Sequence, residues 1–420
     1  MFLKIMKITA IQAQEIYDSR GYPTIGVRLT LENGIVSFSD YPSGSSYGNH
    51  ESLELKDGGR RLRGKGVRDA VHIVEKVIAP QIMGMDVENQ PEIDAKMIDF
   101  DGTPNKKRLG GNAILSVSMA VAKAAALSKR IPLYKYLKTF FPINGLKLPI
   151  PLMVFIEGGK HADYSSDFQE YMIAPFAGNN FAEKMEIALE IYYCLKEIVK
   201  KRSWSLTVGE EGGFAGKVCS NEEPLEMLVL AIERAGFIPG KDIKIALDLA
   251  SSEFYKQGKY YLPKDDKVLD TQGMISYCQN LINDYPIFSI EDAIYEDDWE
   301  GFQKMTAALG DKIQVVGDDL YTTNPRLLQK GIRSKATNSI VIKLNQVGTV
   351  SETVESLKIA SENKIQAMVS QRAGETEDSF FADLCVASAC GQIKSGAPCR
   401  GERIAKYNRL LWIERELGIR

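Results

Sequence analysis

Three stretches near the start of the chain alternate apolar and polar residues with the period of a half-buried strand: ITAIQAQEIY (8–17), TIGVRLTLE (24–32) and IVSFSDYP (35–42). The turn formers SRGYP and ENG separate them, so they predict a small sheet. Helical spacing follows. GVRDAVHIVEKVIAPQIMG (66–84) is amphipathic, and GGNAILSVSMAVAKAAALSKR (110–130) is rich in alanine and other small residues, which predicts close packing on its neighbours. This part predicts a compact α+β domain over residues 1–140. The Pro-punctuated FFPINGLKLPIPL (140–152) predicts a linker.

From about residue 146 the pattern changes to short apolar strands alternating with amphipathic helices. The strands are IKIALD (243–248), IFSIED (287–292), IQVVGDD (313–319), SIVIKLN (339–345) and IQAMVSQ (365–371). Helices are predicted at 222–236, 271–285, 349–364 and 379–390. Repeated strand–helix units predict a parallel sheet covered on both faces, closed or doubly wound. No G-x-G-x-x-G follows any of these strands, which weakens a dinucleotide fold. The length of this part, residues 146–420, suits a β/α barrel.

Each strand stops at a charged residue: Asp248, Glu291, Asp318, Lys343 and Arg372, with Lys394 next in GQIKSG. In a β/α barrel the C-terminal strand ends converge on one mouth, so this series predicts three carboxylates and three cations around one pocket. A single aspartate there could cap the following helix. Three in succession, with oxygen donors only, favour a hard divalent ion, Mg²⁺ by default. In SIVIKLN, Lys343 shares a face with Ser339 and Val341 of a strand buried on both sides. Such a lysine, held among cations and a metal, has a depressed pKa and can serve as a base; alternatively it simply pairs with a carboxylate. VGEEGGF (208–214) sets Glu210 and Glu211 before a glycine pair, as a plain loop or as a site that keeps one acid protonated. GGKHAD and FQEYM add His161 and Glu170, and PSGSSYG (42–48) is a hydroxyl-rich loop suited to a lid.

Composition excludes some functions. A net charge of −3 gives no general attraction to nucleic acid or anionic membranes. The basic stretch KDGGRRLRGKGVR (56–68) is a solvated loop or a polyanion site. The six cysteines form no C-x-x-C pair and read as buried free thiols of a reducing compartment. The three histidines are too scattered for a His-based metal site. The N-terminal stretch has no signal-peptide core, and the longest apolar run, LPIPLMVFI (148–156), is far short of a spanning helix. The expectation is a cytoplasmic protein.

Taken in order, DSRGYPT, PSGSSYG, GGKHAD, FQEYM, VGEEGG, LDLASSEFY, SIED, GDDL, IKLNQVG, RAGETED and GQIKSGAP resemble the enolase family, the glycolytic phosphopyruvate hydratases, over essentially the whole chain. The resemblance implies an α/β fold with a small N-terminal α+β lid domain and a C-terminal β/α barrel with irregular first strands. It implies reversible dehydration of 2-phosphoglycerate with two Mg²⁺ per site. Lys343 matches the base that takes the α-proton. Glu211 matches the acid that protonates the departing hydroxyl, helped by Glu170. Asp248, Glu291 and Asp318 match ligands of the first Mg²⁺, and Ser46 the lid ligand of the second. His161, Gln169, Arg372 and Lys394 match contacts to a small anionic substrate. A homodimer or a ring of dimers is implied, with no nucleic-acid or membrane partner. The chemistry agrees: a proton beside a carboxylate is hardly acidic, so cations must stabilise the charge its removal leaves.

The chain departs from the family pattern near that substrate. Enolases usually read SHRSGETED where Gln371 and Ala373 stand here, so a phosphate clamp by Arg372 lacks a neighbouring hydroxyl donor. Glu157 replaces Asn, Glu210 replaces Asp, Ser45 and Tyr47 replace Ala and Thr, and Tyr22 replaces Asn. Glu157 is expected to add negative charge that disfavours a trianionic substrate, and Tyr47 to fill space around a smaller ligand. Three readings follow. The chain is a working enolase, a paralog using the same base and metals on a phosphonate or another 2-substituted 3-hydroxy acid, or a non-catalytic binding protein on this frame.

Overall fold

The computed structural model describes residues 5–45, 50–141 and 145–419. The three alternating segments form an antiparallel sheet of β1 (Ile8–Tyr17), β2 (Pro23–Leu31) and β3 (Val36–Asp40), in that order. The small-residue helix, Gly111–Ser128, packs against β2 and β3. Its alanines let β3 come close enough for Ser37 and Ser39 to donate hydroxyl hydrogen bonds to the helix carbonyls of Ala120 and Ser116, at 2.8 and 2.5 Å. This helix is long and apolar enough to cross a membrane by composition alone, but it is the buried core of the N-terminal domain. The helix predicted at 66–84 is observed as Arg68–Ile73 and Ala79–Ile82 joined by a π-turn, Val74–Ile78. Pro80 accounts for the widening, because it has no N–H for the Lys76 carbonyl and its ring presses on that group.

The rest of the chain builds a closed barrel. Its strands are β4 (Ile150–Glu157), β5 (Glu170–Pro175) and β6 (Ile243–Asp248), followed after an insertion by β10–β14. The insertion is a three-stranded sheet of β7 (Tyr255–Lys256), β8 (Lys259–Leu262) and β9 (Lys267–Leu269), which the hydrophobic pattern did not reveal. The later barrel strands are β10 (Ile287–Glu291), β11 (Gln314–Gly317), β12 (Ser339–Ile342), β13 (Gln366–Ser370) and β14 (Gln392–Lys394). Around the ring the order is β10-β11-β12-β13-β14-β4-β5-β6. All neighbours are parallel except that β5 runs antiparallel to both β4 and β6. The reversal brings the start of β5, Glu170, to the same mouth as the ends of its neighbours, opposite Asp248 and Glu157 in register.

Strand alternation sorts the core into two layers. Leu152, Val154, Met172, Ala174, Ala246, Val316, Val341 and Met368 fill the barrel interior. Ile340, Ile342, Val369 and their counterparts face the surrounding helices. Lys343 continues the interior line of Ser339 and Val341, so its side chain enters the mouth. The N-terminal domain is tied to this rim. Ser43 and Gly374 exchange two backbone hydrogen bonds, at 2.7 and 2.9 Å, and Arg20 spans from Asp18 to the carbonyls of Ser43 and Gly44.

Candidate active site

Strand order distributes charge around the mouth. Asp248 and Glu291 end β6 and β10, and Asp318 lies just past the end of β11, the next strand around the ring. Lys343 and Arg372 lie just past the ends of β12 and β13, and Lys394 ends β14. Glu170 opens β5, four strands around the eight-stranded ring from β12, so it faces Lys343 across the mouth. Glu211 lies beside it, on the loop between β5 and β6. His161, Gln169, Glu170, Glu211, Asp248, Asp318, Lys343, Arg372 and Lys394 all line one cleft of about 530 Å³, counted to its open mouth. Glu291 is buried against the Lys394 that lines it. Ser46, and Tyr47 with it, lie outside the described residues.

The lysines are held by the acids. Lys394 Nζ reaches Glu170 at 2.9 Å, Glu291 at 3.0 Å and Asp248 at 3.2 Å. Lys343 Nζ bonds Asp318, whose other oxygen accepts from Gln346 at 2.9 Å. Arg372 pairs with Glu51 of the N-terminal domain at 2.8 Å and donates to Asn345 at 3.0 Å. The expected depression of Lys343 is not found in this arrangement. Burial is the largest influence and works in that direction, but the carboxylates around the amine, Asp318 first and Glu291 after it, together hold the ammonium above its usual range. Lys394 is raised likewise, burial being overcome by Glu170, Glu291 and Asp248.

The carboxyls of Glu170 and Glu211 are shifted in opposite directions. Burial raises both carboxyls. At Glu170 the Glu211 charge adds to it and the pKa stands well above the usual range. At Glu211 the charges of His161, Arg403 and Lys394, with a hydrogen bond from Glu170, together prevail over burial and hold it below. Burial lowers the pKa of His161, against the pull of the neighbouring carboxylates, and its Nδ1 lies 3.8 Å from Glu170 and 3.7 Å from Glu211.

The mouth has more acids than cations. Burial and like charge push the carboxyls of Glu291, Asp292 and Asp319 well up. An all-oxygen donor set short of positive charge fits a hard divalent cation. The arrangement differs in detail from the predicted trio. Asp292, Asp318 and Asp319 offer oxygens within 4.8 Å of one another, whereas Lys394 stands between Asp248 and Glu291.

Several site residues escaped the sequence reading. Asp292 accepts from the backbone N–H of Asp318 and Asp319, at 3.0 and 2.9 Å, and braces the end of β11. The doubled acids of SIED and GDDL were the available signal for Asp292 and Asp319. Glu51 and Arg403 gave none, being far in sequence from the groups they meet. One expectation is corrected. Glu157 does not line the cleft where a substrate would meet its charge: it lies behind the Glu211 loop, wholly buried, and burial with the Glu211 charge pushes its carboxyl up to about 8. Tyr22, another departure, lies beneath the Lys65 ammonium, 3.4 Å from its ring centre. In the basic stretch, Arg61 pairs with Glu15 and Asp57, and Lys56 with Glu54.

A capping α+β domain on a closed β/α barrel, with lysines and acids facing one another at the strand ends, defines a two-domain β/α-barrel protein with one charged mouth. Comparison with known proteins agrees. The family model described as "Enolase, N-terminal domain" matches residues 8–137, and "Enolase, C-terminal TIM barrel domain" matches residues 145–420. A relative named "Enolase 2", from Methanospirillum hungatei JF-1, is 52% identical over 413 residues, spanning 98% of this chain and 96% of its own. The chain belongs to the enolase family, as a hydro-lyase of the enolase type.

Proposed function

We propose that the protein interconverts 2-phosphoglycerate and phosphoenolpyruvate with Mg²⁺, as a cytoplasmic glycolytic enzyme assembled as a homodimer or a ring of dimers. The single observation behind this reading is the opposition of Lys343 to the Glu170–Glu211 pair across one narrow mouth. An anti 1,2-elimination uses a base on one face of the substrate and an acid on the other, and this opposition suits it. Lys343 takes the proton from the carbon next to the carboxylate. The Glu211 carboxyl, with Glu170 beside it, protonates the departing hydroxyl. Asp248, Glu291 and Asp318 would hold one Mg²⁺, and Ser46 a second. Bound there, Mg²⁺ supplies positive charge to the substrate carboxylate as its α-proton leaves. Lys394 adds to that charge, and Arg372 receives the phosphate, with His161 and Gln169 lining the same cleft. Asp318 must hand over its hold on Lys343 before the amine can act as a base, so engagement of Asp318 by a cation and activation of Lys343 are linked.

The absence of a hydroxyl at Ala373, which lines the cleft, favours a second reading: the same half-reaction on a phosphonate or another 2-substituted 3-hydroxy acid. One assay separates them. Purified protein is mixed with 2-phosphoglycerate and Mg²⁺, and the ultraviolet absorbance of the enol product is followed with and without a chelator. Metal-dependent turnover at about 10 s⁻¹ or faster supports the first reading. No turnover on 2-phosphoglycerate, with turnover on a related acid, supports the second. Lys343→Ala should abolish solvent exchange of the α-proton in a folded protein; exchange at the wild-type rate would remove Lys343 as the base.

A further inference from the structure

The loop bearing Glu211 is held by groups that the reaction scheme does not use. Glu157, the last residue of β4, turns its carboxyl into the loop. Its Oε1 accepts from the backbone N–H of Gly213 at 2.5 Å and of Glu211 at 3.1 Å, and its Oε2 accepts from the same Glu211 N–H at 3.1 Å. The space exists because position 209 is glycine: a Cβ there would stand 2.2 Å from Glu157 Oε2. The Glu211 carbonyl in turn accepts from the Ala397 N–H at 2.9 Å.

The side chain is held from another direction. Arg403 is fully buried, and its Nη1 donates to Gln371 Oε1 at 2.6 Å and to the Arg372 carbonyl at 2.8 Å. Its Nη2 donates to the carbonyls of Glu210 and Ala373, at 3.0 and 2.7 Å. With its oxygen engaged by a guanidinium, the Gln371 amide must present its NH₂ to the other side. That NH₂ donates to Glu211 Oε2.

We infer that Glu157, Gln371 and Arg403 form one positioning frame for Glu211: Glu157 anchors its backbone, Gln371 orients its carboxyl, and Arg403 locks Gln371. The inference rests on the reading of Glu211 as the acid. It gives two departures from the family pattern a common purpose. A glutamate reaches one bond further than asparagine and offers two acceptor oxygens to the loop. A glutamine held by Arg403 is a permanent donor, whereas a histidine would change its hydrogen bonding as it titrates.

Proton removal beside the carboxylate leaves an anion that can be reprotonated before the hydroxyl departs, so exchange at the base can be read apart from elimination. Glu157→Ala should lower elimination about 10- to 100-fold, the scale of an ångström-sized misplacement, while α-proton exchange at Lys343 continues near the wild-type rate. Glu157→Gln keeps an acceptor oxygen and should restore most of the loss. Gln371→Leu, close in size, should reproduce the split. Equal loss of exchange and elimination, or no loss in Glu157→Ala, would overturn the frame. A second measurement needs no turnover. Deuterium uptake by the 208–214 peptide of the intact protein should rise in Glu157→Ala and much less in Glu157→Gln. Unchanged uptake in Glu157→Ala overturns the frame whatever the substrate proves to be. A wild type inactive on 2-phosphoglycerate, with uptake behaving as expected, would overturn the substrate reading and leave the frame supported.

Discussion

At the scale of single residues, the site differs from its family pattern in ways that have separate physical consequences. Ala373 is buried at the rim of the cleft, one residue beyond Arg372, and leaves an anionic substrate without a hydroxyl donor there. A hydrogen bond to a charged group is worth about 1.5–3 kcal/mol, or roughly 10–150-fold. Ala373→Ser should therefore lower KM for 2-phosphoglycerate by about tenfold or more in steady-state assays. No change would mean that the phosphate does not reach this position. Far from the mouth, Cys385 and Cys390 bring their sulfurs to 3.5 Å. The hydrogen bond with Cys385 is the chief reason that the Cys390 thiol is pulled down to about 6, while burial pushes Cys385 well up. Iodoacetamide labelling at Cys390, followed by peptide mass, should rise between about pH 5 and 7 and then level off. A midpoint above pH 8 would contradict a shared proton in this pair. The linked stability has a definite sign. A lowered thiol pKa stabilises the fold above the ordinary cysteine range, and that contribution is lost as pH falls through about 6.

Between elements, the seam of the two domains is a short bridge with little room. Gly374 pairs with Ser43, and a Cβ on Gly374 would stand 2.2 Å from Arg20 Nη2 and 2.3 Å from Asp18 Oδ2. Arg20 cannot swing away freely, because it also serves Asp18 and two backbone carbonyls. Gly374→Ala should cost about 1–3 kcal/mol, as overpacking does, and open the seam without unfolding the barrel. Faster proteolytic cutting near residues 43–45, with an unchanged far-ultraviolet spectrum, is the expected result; wild-type cutting rates would refute it. The same elements mark how far the sequence was legible. Period-two alternation identified β1–β3, and apolar runs ending in charge identified β6 and β10–β13, because these strands are uniform along their length. The direction of β5 was invisible to periodicity, since a buried strand reads alike either way. The π-turn before Pro80 arises from one missing N–H within an otherwise regular helical pattern. The charged strand ends were readable as a set. Their partners Glu51, Gln346 and Arg403 were not, because the pairing is made by the closed barrel and its capping domain and leaves no local spacing.

For the whole molecule, the mouth of the barrel concentrates burial and like charge at one end of an otherwise well-packed fold. Glu291, Asp292 and Asp319 are driven toward protonation there, which means that the folded chain carries repulsion a divalent cation would relieve. A cation that binds the folded state alone raises stability by mass action, about 2.7 kcal/mol at a hundredfold excess over Kd. For a chain longer than 250 residues, each kcal/mol moves Tm by no more than about 2 °C, so a rise of about 3–5 °C is expected. The rise should vanish with a chelator and exceed that of NaCl at matched ionic strength, since screening alone also softens repulsion. Glu291→Gln imitates the protonated carboxyl. It should leave the metal-free Tm near that of the wild type and remove most of the Mg²⁺ increment. An increment that survives Glu291→Gln would move the cation to the Asp292–Asp318–Asp319 oxygens. No increment in the wild type would leave Lys343, Arg372 and Lys394 to balance the mouth without a metal, and proton abstraction beside a carboxylate would then lack its electrostatic support.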